Sequence, residues 1–440
     1  MMLSREAIAE VVEILEPDHF YKPAHGHLYD AVMSLYSAGE PVDAVTVADE
    51  LKRAGLLDEV GGAAMLLDLQ AATPAISNAA YYAKIVEEHA LLRRMIVVSN
   101  EIAEAAYEIP DDVVKAVDDA EAKMFDVAQR RVTNTTAPLR DLLPANLDRI
   151  EMLYDRGEAI TGLSTGYLDL DEKLAGLQPN ALYVVGARPA MGKTAFALGL
   201  AANSAMKDRR PVLIFTLEMS QLELSQRLLC SEALVDSGKV KTGRLEEAEW
   251  TRISHAVGRL AETPIFIDDN PHTSVMDIRA KARRLKSREG DLGLVLVDYI
   301  QLMTGRASAE SRQVEVSEIS RNLKILAREL EAPVVALAQL NRGLEQRQDK
   351  RPMLSDLRES GSLEQDADVV MFLYRDEVYD ENSPDKGVAE VIVAKHRNGP
   401  TGKARLAFRG QFTRFDNMAR STPQGPPAEG GAPSDPGPDF

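Results

Sequence analysis

The chain has 440 residues, 45% of them hydrophobic and 27% charged, with a formal net charge of −18. That length exceeds what one core ordinarily holds and points to two or three domains, while the longest apolar runs fall far short of the roughly 18 residues of a bilayer span, which excludes a membrane helix. One cysteine, Cys230, excludes an internal disulfide and a multi-cysteine metal site, and suits a reducing cytoplasm.

Residues 1–130 are expected to form an all-helical domain. Its opening, MMLSREAIAEVV, lacks the basic start, apolar centre and cleavage site of a secretory leader. Ile8, Val11, Val12 and Leu15 follow the i, i+3, i+4, i+7 pattern, as do Leu28, Ala31, Val32 and Leu35, so each set forms one stripe facing a shared core. Gly55 closes a patterned run from Val45 to Ala54, and Pro110 interrupts a long helix from about Asn78 before Asp111 and Asp112 open another. His19, His25 and His27 cluster in sequence, but without carboxylates at ligand spacing. This region holds 10 Lys+Arg against 24 Asp+Glu, whereas residues 131–420 are nearly neutral, with 41 basic and 42 acidic side chains. A polyanion should therefore meet the middle of the chain and not its N-terminal part.

Residues 131–160 read as a linker. The polar RVTNTTAP precedes a helix in which Leu143, Leu147, Ile150 and Tyr154 share a face, available to pack back on the chain or to dock on a neighbouring copy. From residue 161 to 420 the pattern changes to short apolar runs alternating with helices: Leu182–Val185, Val212–Leu217, Pro264–Ile267, Leu294–Val297, Val334–Ala338, Val369–Leu373 and Val388–Ala394. Such runs are the signature of an α/β domain whose mostly parallel sheet carries helices on both faces. Residues 421–440, rich in Pro and Gly, are expected to be a disordered tail.

The chemistry concentrates at ALYVVGARPAMGKT, a strand, a loop ending Gly192-Lys193-Thr194 and a helix start. Backbone N–H groups and the helix N-terminus can surround a β-phosphate there, Lys193 can neutralise β/γ oxygens, and the Thr194 hydroxyl can ligate Mg²⁺. Ala187 stands where the pattern G-x-x-x-x-G-K-S/T has its first Gly. GLVLVDYIQLM supplies Asp298 at the end of a buried strand as the acidic partner of Mg²⁺, and Glu218, ending VLIFTL, is placed to orient water.

With these residues in view, ARPAMGKT, TLEMS, VDYIQLM, LAQLNRGLEQR, DKRPMLSDLRESGSLEQDADVVMFLYRDEVY and AKHRNGPTG resemble the bacterial replicative DNA helicases of the DnaB family. FYKPAHGHLYDAV and DELKRAGLLDEVGGAAMLLDL look like that family's N-terminal domain. The resemblance implies a RecA-like P-loop ATPase domain behind an all-α domain. It implies a homohexameric ring that uses ATP and Mg²⁺ to move 5′ to 3′ on single-stranded DNA, with a primase and a helicase loader as partners and no membrane. It assigns Ala190, Gly192, Lys193, Thr194 and Ala195 to the phosphate loop, Glu218 to water activation, Asp298 to Mg²⁺, Gln339 to γ-phosphate sensing and Arg227 to nucleotide contact. Lys395 and Arg397 lie two apart, so an extended chain points both to one side; the resemblance sends them into the adjacent subunit's site.

DNA contact is expected from NRGLEQRQDKRP, where Arg342, Arg347, Lys350 and Arg351 outweigh Glu345 and Asp349 and no aromatic residue suggests base stacking. In RESGS, the resemblance puts Arg358, Glu359 and Gly361 on the DNA backbone. One departure concerns the start, because family members usually carry a further helix and extension before the segment that opens this chain. A RecA-like recombination or repair ATPase, and a nucleotide-binding loader or scaffold without activity, are the alternatives. Lys193, Thr194, Glu218 and Asp298, all in place, argue against the second.

Overall fold

The computed structural model describes residues 1–73, 75–110, 138–156, 160–304 and 312–418, with scattered positions between 113 and 127. The expected helix at Asp111 and the tail 421–440 fall largely or wholly outside the described residues. The chain divides into two compact units, Met1–Leu147 and Asp148–Phe440.

In the first unit every described element is helical: Arg5–Val12, Pro23–Ala38, Ala44–Arg53, Leu57–Val60, Gly62–Ala71 and Ala79–Tyr107, with short 3-10 turns between them. The starts are set by side chains that satisfy free N–H groups. Ser4 Oγ accepts from Ala7 N at 3.2 Å, and Asp43 Oδ1 accepts from Val45 N and Thr46 N at 2.8 and 3.0 Å. Of the two expected stripes, Ile8, Val11, Leu15, Ala31, Val32 and Leu35 are buried, and Val12 and Leu28 are half-buried. Of the three histidines, His19 lies beside the carboxylates of Glu16 and Asp18, with its Nδ1 already accepting from Glu16 N at 3.1 Å, and His27 Nε2 lies 3.9 Å from the single carboxylate of Glu59. In the linker helix Leu139–Arg156, the residues of the apolar face read from the sequence, Leu143, Leu147, Ile150 and Tyr154, are exposed among the described residues.

The second unit is built on one nine-stranded sheet in the order β3-β2-β4-β5-β1-β6-β7-β8-β9. The strands are β1 Leu182–Ala187, β2 Val212–Thr216, β3 Ile265–Asp268, β4 Leu294–Asp298, β5 Val334–Gln339, β6 Val369–Tyr374, β7 Val388–His396, β8 Gly402–Arg409 and β9 Arg414–Asn417. β3 through β6 pair in parallel, whereas β6 to β9 form an antiparallel extension. Helices cover both faces, and alternate residues feed two cores. Tyr183, Val185, Leu294 and Leu296 pack under the helix Lys193–Asp208, while Leu182, Val184, Val295 and Val297 pack under the helices Val275–Glu289 and Arg312–Leu330. Burial on both sides explains the unbroken apolar runs of β1, β2, β4, β5 and β6, and the edge strand β3 is half-buried. β8 and β9 lack such runs, alternating buried residues with exposed or half-exposed ones, and the sequence reading did not find them. No helix among the described residues is long and apolar enough to cross a membrane.

One close approach sets the seat of the helix Lys193–Asp208. A Cβ at Gly199 would lie 2.1 Å from the hydroxyl of Tyr167, a fully buried ring stacked on Phe196 at 5.4 Å and therefore unable to swing aside. That hydroxyl has no hydrogen-bond partner among the described residues. Gly199→Ala is expected to cost about 1–3 kcal/mol by overpacking, and adding Tyr167→Phe should return most of it. Denaturant midpoints of the two single variants and the double variant measure this; strictly additive effects would remove the hydroxyl as the obstacle.

Candidate active site

The C-terminal ends of the parallel strands carry the chemistry, where open α/β sheets bind ligands. β1 ends at Ala187, and after five intervening residues the helix Lys193–Asp208 begins. The loop turns through two left-handed positions, Ala190 at φ +68° and Gly192 at φ +93°. At Gly192 a Cβ would meet Phe415 Cζ at 3.0 Å and Phe408 Cε2 at 3.2 Å, so space and conformation both select glycine. Ala190 is held from outside: Arg375 Nη1 donates to its carbonyl at 2.9 Å while the guanidinium stacks 3.8 Å from the Phe408 ring centre. Lys193, Thr194 and Ala195 then form the first helical turn, whose free N–H groups open onto the loop.

β4 sets Asp298 beside that turn. Thr194 Oγ1 donates to Asp298 Oδ2 at 2.8 Å, Lys193 Nζ lies 3.9 Å from Oδ1, and the Lys193 ammonium sits 4.4 Å above the Tyr299 ring. Burial pushes the Lys193 ammonium below its ordinary pKa, against the pull of Asp298 and Glu218. Burial likewise pushes the Asp298 carboxyl up, against Lys193 and the Thr194 hydroxyl. Both groups are thus poorly solvated, with the other as a nearby opposite charge. Asp298 Oδ1 is buried with no hydrogen-bond partner among the described residues, and a carboxylate oxygen left over beside a threonine hydroxyl is a donor set suited to a hard divalent cation. The residues fit Mg²⁺.

β2 brings the third member. Thr216 pairs with Asp298, and Leu217 N donates to Asp298 O at 2.8 Å, so Glu218 emerges next to the Asp298 strand end with its side chain exposed. Both Glu218 and Arg227, on the helix Gln221–Ala233, act electrostatically on Asp298. Gln339 closes the row from β5, opposite Ala187. Its backbone is clasped by Gln301, which accepts from Gln339 N at 3.2 Å and donates to Gln339 O at 3.1 Å.

Lys395 and Arg397 are elsewhere. They do point to one side, as the two-residue spacing requires, and both donate to Gln365 O, at 3.2 and 2.5 Å. Lys395 also bonds Glu364 O and Ala367 O, capping the end of the helix Gly361–Asp366. Arg397 Nη1 lies 3.7 Å from Asp368 Oδ1, whose other oxygen accepts from Leu182 N at 2.8 Å. Leu182 begins β1, so Arg397 is tied to the opposite end of the sheet from the phosphate loop of its own chain.

The basic stretch after β5 is less available than its composition suggests. Arg347 donates to Asp356 at 2.8 Å, and Arg351 makes a two-pronged pair with Glu390 at 3.0 and 2.8 Å while stacking on Tyr374. Lys350 sits over Tyr379 at 4.7 Å, so aromatic rings do line the stretch, supplied by distant sequence. Arg342 is exposed and has no partner among the described residues. Arg358 and Glu359 lie in the 3-10 segment Leu354–Ser360, and Gly361 starts the helix that follows. Reading the sequence missed Arg188, Tyr299, Gln301 and Arg375. All four lie inside the motifs quoted above, so proximity was a signal, but the role of Arg375 as a brace for Ala190 joins residues 185 apart and has no local mark.

Comparison with known proteins agrees along nearly the whole chain. Residues 162–417 match the family model for the DnaB-like helicase C terminal domain, and residues 1–88 that for the DnaB-like helicase N terminal domain. The chain is 48% identical over 421 residues to the replicative DNA helicase DnaC of Bacillus subtilis, covering 96% of this chain and 92% of that protein. It is 47% identical over 421 residues to the replicative DNA helicase DnaB of Geobacillus stearothermophilus, with the same coverage. A solved structure of a DnaB-like replicative helicase, described with its interactions with primase, aligns with a TM-score of 0.73 at 34% identity, covering 94% of this chain and 99% of the other.

Proposed function

The chain belongs to the DnaB-like replicative helicase family, and from that membership we propose that it unwinds DNA at the replication fork as a homohexameric ring, moving 5′ to 3′ on single-stranded DNA by hydrolysing ATP with Mg²⁺. The observation that carries the hydrolytic half is the Thr194–Asp298 pair at the mouth of the phosphate loop, with one buried carboxylate oxygen unspent.

Each residue then has a task. The N–H groups of the loop from Ala190 through Ala195 cradle the β-phosphate, and Lys193 meets the β/γ oxygens with an ammonium that burial has left poorly solvated. Thr194 and Asp298 hold Mg²⁺, which when bound shields phosphate charge as it shifts onto the leaving oxygen. Glu218 orients and deprotonates the attacking water. Gln339 faces the γ-phosphate at the end of the neighbouring strand, and Arg227 approaches the nucleotide from across the cleft. Lys395 and Arg397 serve the site of the adjacent subunit. The position of Arg397 at the far end of β1 supports this, because no side chain bridges that length to its own loop.

DNA backbone contact falls to Arg342, Arg358, Glu359 and Gly361, with Arg347 and Arg351 shaping the loop instead of gripping phosphate. The domain reading is a helical N-terminal domain over 1–130, a linker with a docking helix over 131–160, an ATPase domain over 161–420 and a tail beyond. A primase and a loader are its protein partners, and the single buried cysteine suits work in the cytoplasm. The test is strand displacement with ATP and Mg²⁺: a duplex bearing a 5′ single-stranded tail should be opened and a 3′-tailed one left intact, with native mass giving six subunits. Preference for the 3′ tail, or filaments of open-ended mass, would overturn the reading.

A further inference from the structure

Arg188 has no part in the nucleotide chemistry above, yet it is a buried cation inside the phosphate loop. Its surroundings follow from strand register. β1 and β5 run parallel with Ala187 opposite Gln339, and Leu340 N donates to Ala187 O at 3.2 Å, so the two chains leave the sheet side by side. The Arg188 guanidinium crosses between them. Nη1 donates to Leu340 O at 2.8 Å, while Nε and Nη2 donate to Glu345 Oε1 at 2.9 and 2.6 Å.

Those bonds grip both ends of the segment Leu340–Glu345, whose middle holds Arg342. The segment is a compact unit: Asn341 Oδ1 accepts from Gly343 N at 3.2 Å, and Leu344 is buried beneath the 3-10 turn Arg342–Gln346. On the nucleotide side, Arg188 O accepts from Met191 N at 3.4 Å, so Arg188 opens the turn that runs through Ala190. The Glu345 side chain lies on Arg188 but is half exposed, and it shares the 3-10 turn Arg342–Gln346 with Arg342, three residues before it. On Arg188 its charge is neutralised and Arg342 faces the solvent as a net positive site. Released, it cancels Arg342 and repels a phosphate backbone.

We propose that the Arg188–Glu345 pair couples the two ligands of this protein, phosphate-loop occupancy setting whether Glu345 is held and Glu345 setting how strongly single-stranded DNA is bound. The inference rests on the reading of this segment as a DNA contact. Coupling of this kind is a free energy shared by two sites and must be reciprocal. Glu345 is a positioning residue, acting through Arg188 on one side and Arg342 on the other.

The test uses the full chain and a fluorescent oligo(dT), its affinity measured with ADP and with a non-hydrolysable ATP analogue. The two wild-type affinities should differ about fivefold or more, within the usual range of coupling. Glu345→Gln, which keeps length and loses charge, should bring that ratio to within about twofold of one, and Glu345→Asp should retain most of it. The same collapse should appear in nucleotide affinity measured with and without oligo(dT). DNA-independent ATP hydrolysis and the melting midpoint should stay near wild type, because water can replace a half-exposed carboxylate. A wild-type ratio of one, an unchanged ratio in Glu345→Gln, or equal losses in the Gln and Asp variants would overturn the coupling while leaving the DNA reading intact. Failure of the wild-type chain to bind oligo(dT) at all would sink the DNA reading itself.

Discussion

A Glu218→Gln chain is expected to keep its hold on ATP and to lose at least about a hundredfold in turnover, the lower end of what a positioned general base contributes. The expectation rests on a division of labour visible in the sheet. Phosphate cradling belongs to the loop after β1 and the turn that starts at Lys193, and cation binding to Thr194 with the last residue of β4. Glu218 comes from the end of β2 and makes none of those contacts. Removing its negative charge therefore breaks none of the contacts that hold the nucleotide, whereas the water loses the group that accepts its proton. A hundredfold loss corresponds to about 2.7 kcal/mol of transition-state stabilisation. Lys193→Ala provides the contrast, weakening binding and turnover together, since the ammonium meets oxygens that are present before and during the reaction. Single-turnover hydrolysis beside nucleotide titration separates the two effects. Near wild-type turnover in Glu218→Gln would move the base to another residue.

How far the molecule can be read from its sequence depends on how local each signal is. Strands buried on both faces announce themselves as unbroken apolar runs, which made β1, β2, β4, β5 and β6 legible, and β3 and β7 were read from short apolar runs although they are only partly buried; β8 and β9 carry Lys403, Arg405 and Arg414 beside their buried residues and were not. The phosphate loop was legible because its chemistry sits in eight consecutive residues, and Asp298 and Glu218 because strand ends at that edge of the sheet have few other uses. Pairings across long sequence distance were invisible. The positive charge counted on NRGLEQRQDKRP was partly spent on Asp356 and Glu390, and Glu345, read there as mere dilution, is bound to an arginine 157 residues earlier. Lys395 and Arg397 show both sides of this. Period-two geometry put them on one side of the chain, but only the sheet order reveals that this side lies at the wrong end of β1 for their own nucleotide site.

That placement leads to the second large effect. β1 spans six residues, and at roughly 3.3 Å per residue its two ends are about 16 Å apart. Arg397 is bonded at the Leu182 end, through Asp368 and Gln365, while the loop that binds phosphate begins after Ala187. If Arg397 meets the transferring phosphoryl group at all, it does so in another copy. Arg397→Ala should then lower turnover about a thousandfold or more, the range of an arginine finger, with every group of its own site intact. Mixing it with Lys193→Ala separates the two geometries. In a ring assembled from both variants, some interfaces place an intact loop from the Arg397→Ala subunit against an intact Arg397 from the Lys193→Ala subunit, and activity should return although neither parent has it. Were Arg397 to act on its own loop, every site would lack one of the two groups, and no mixture could exceed its parents. Native mass of the mixed rings shows that both variants are present. Mixed rings without recovered hydrolysis at any ratio would return Arg397 to a structural role at the end of the helix Gly361–Asp366, where its bond to Gln365 O already places it.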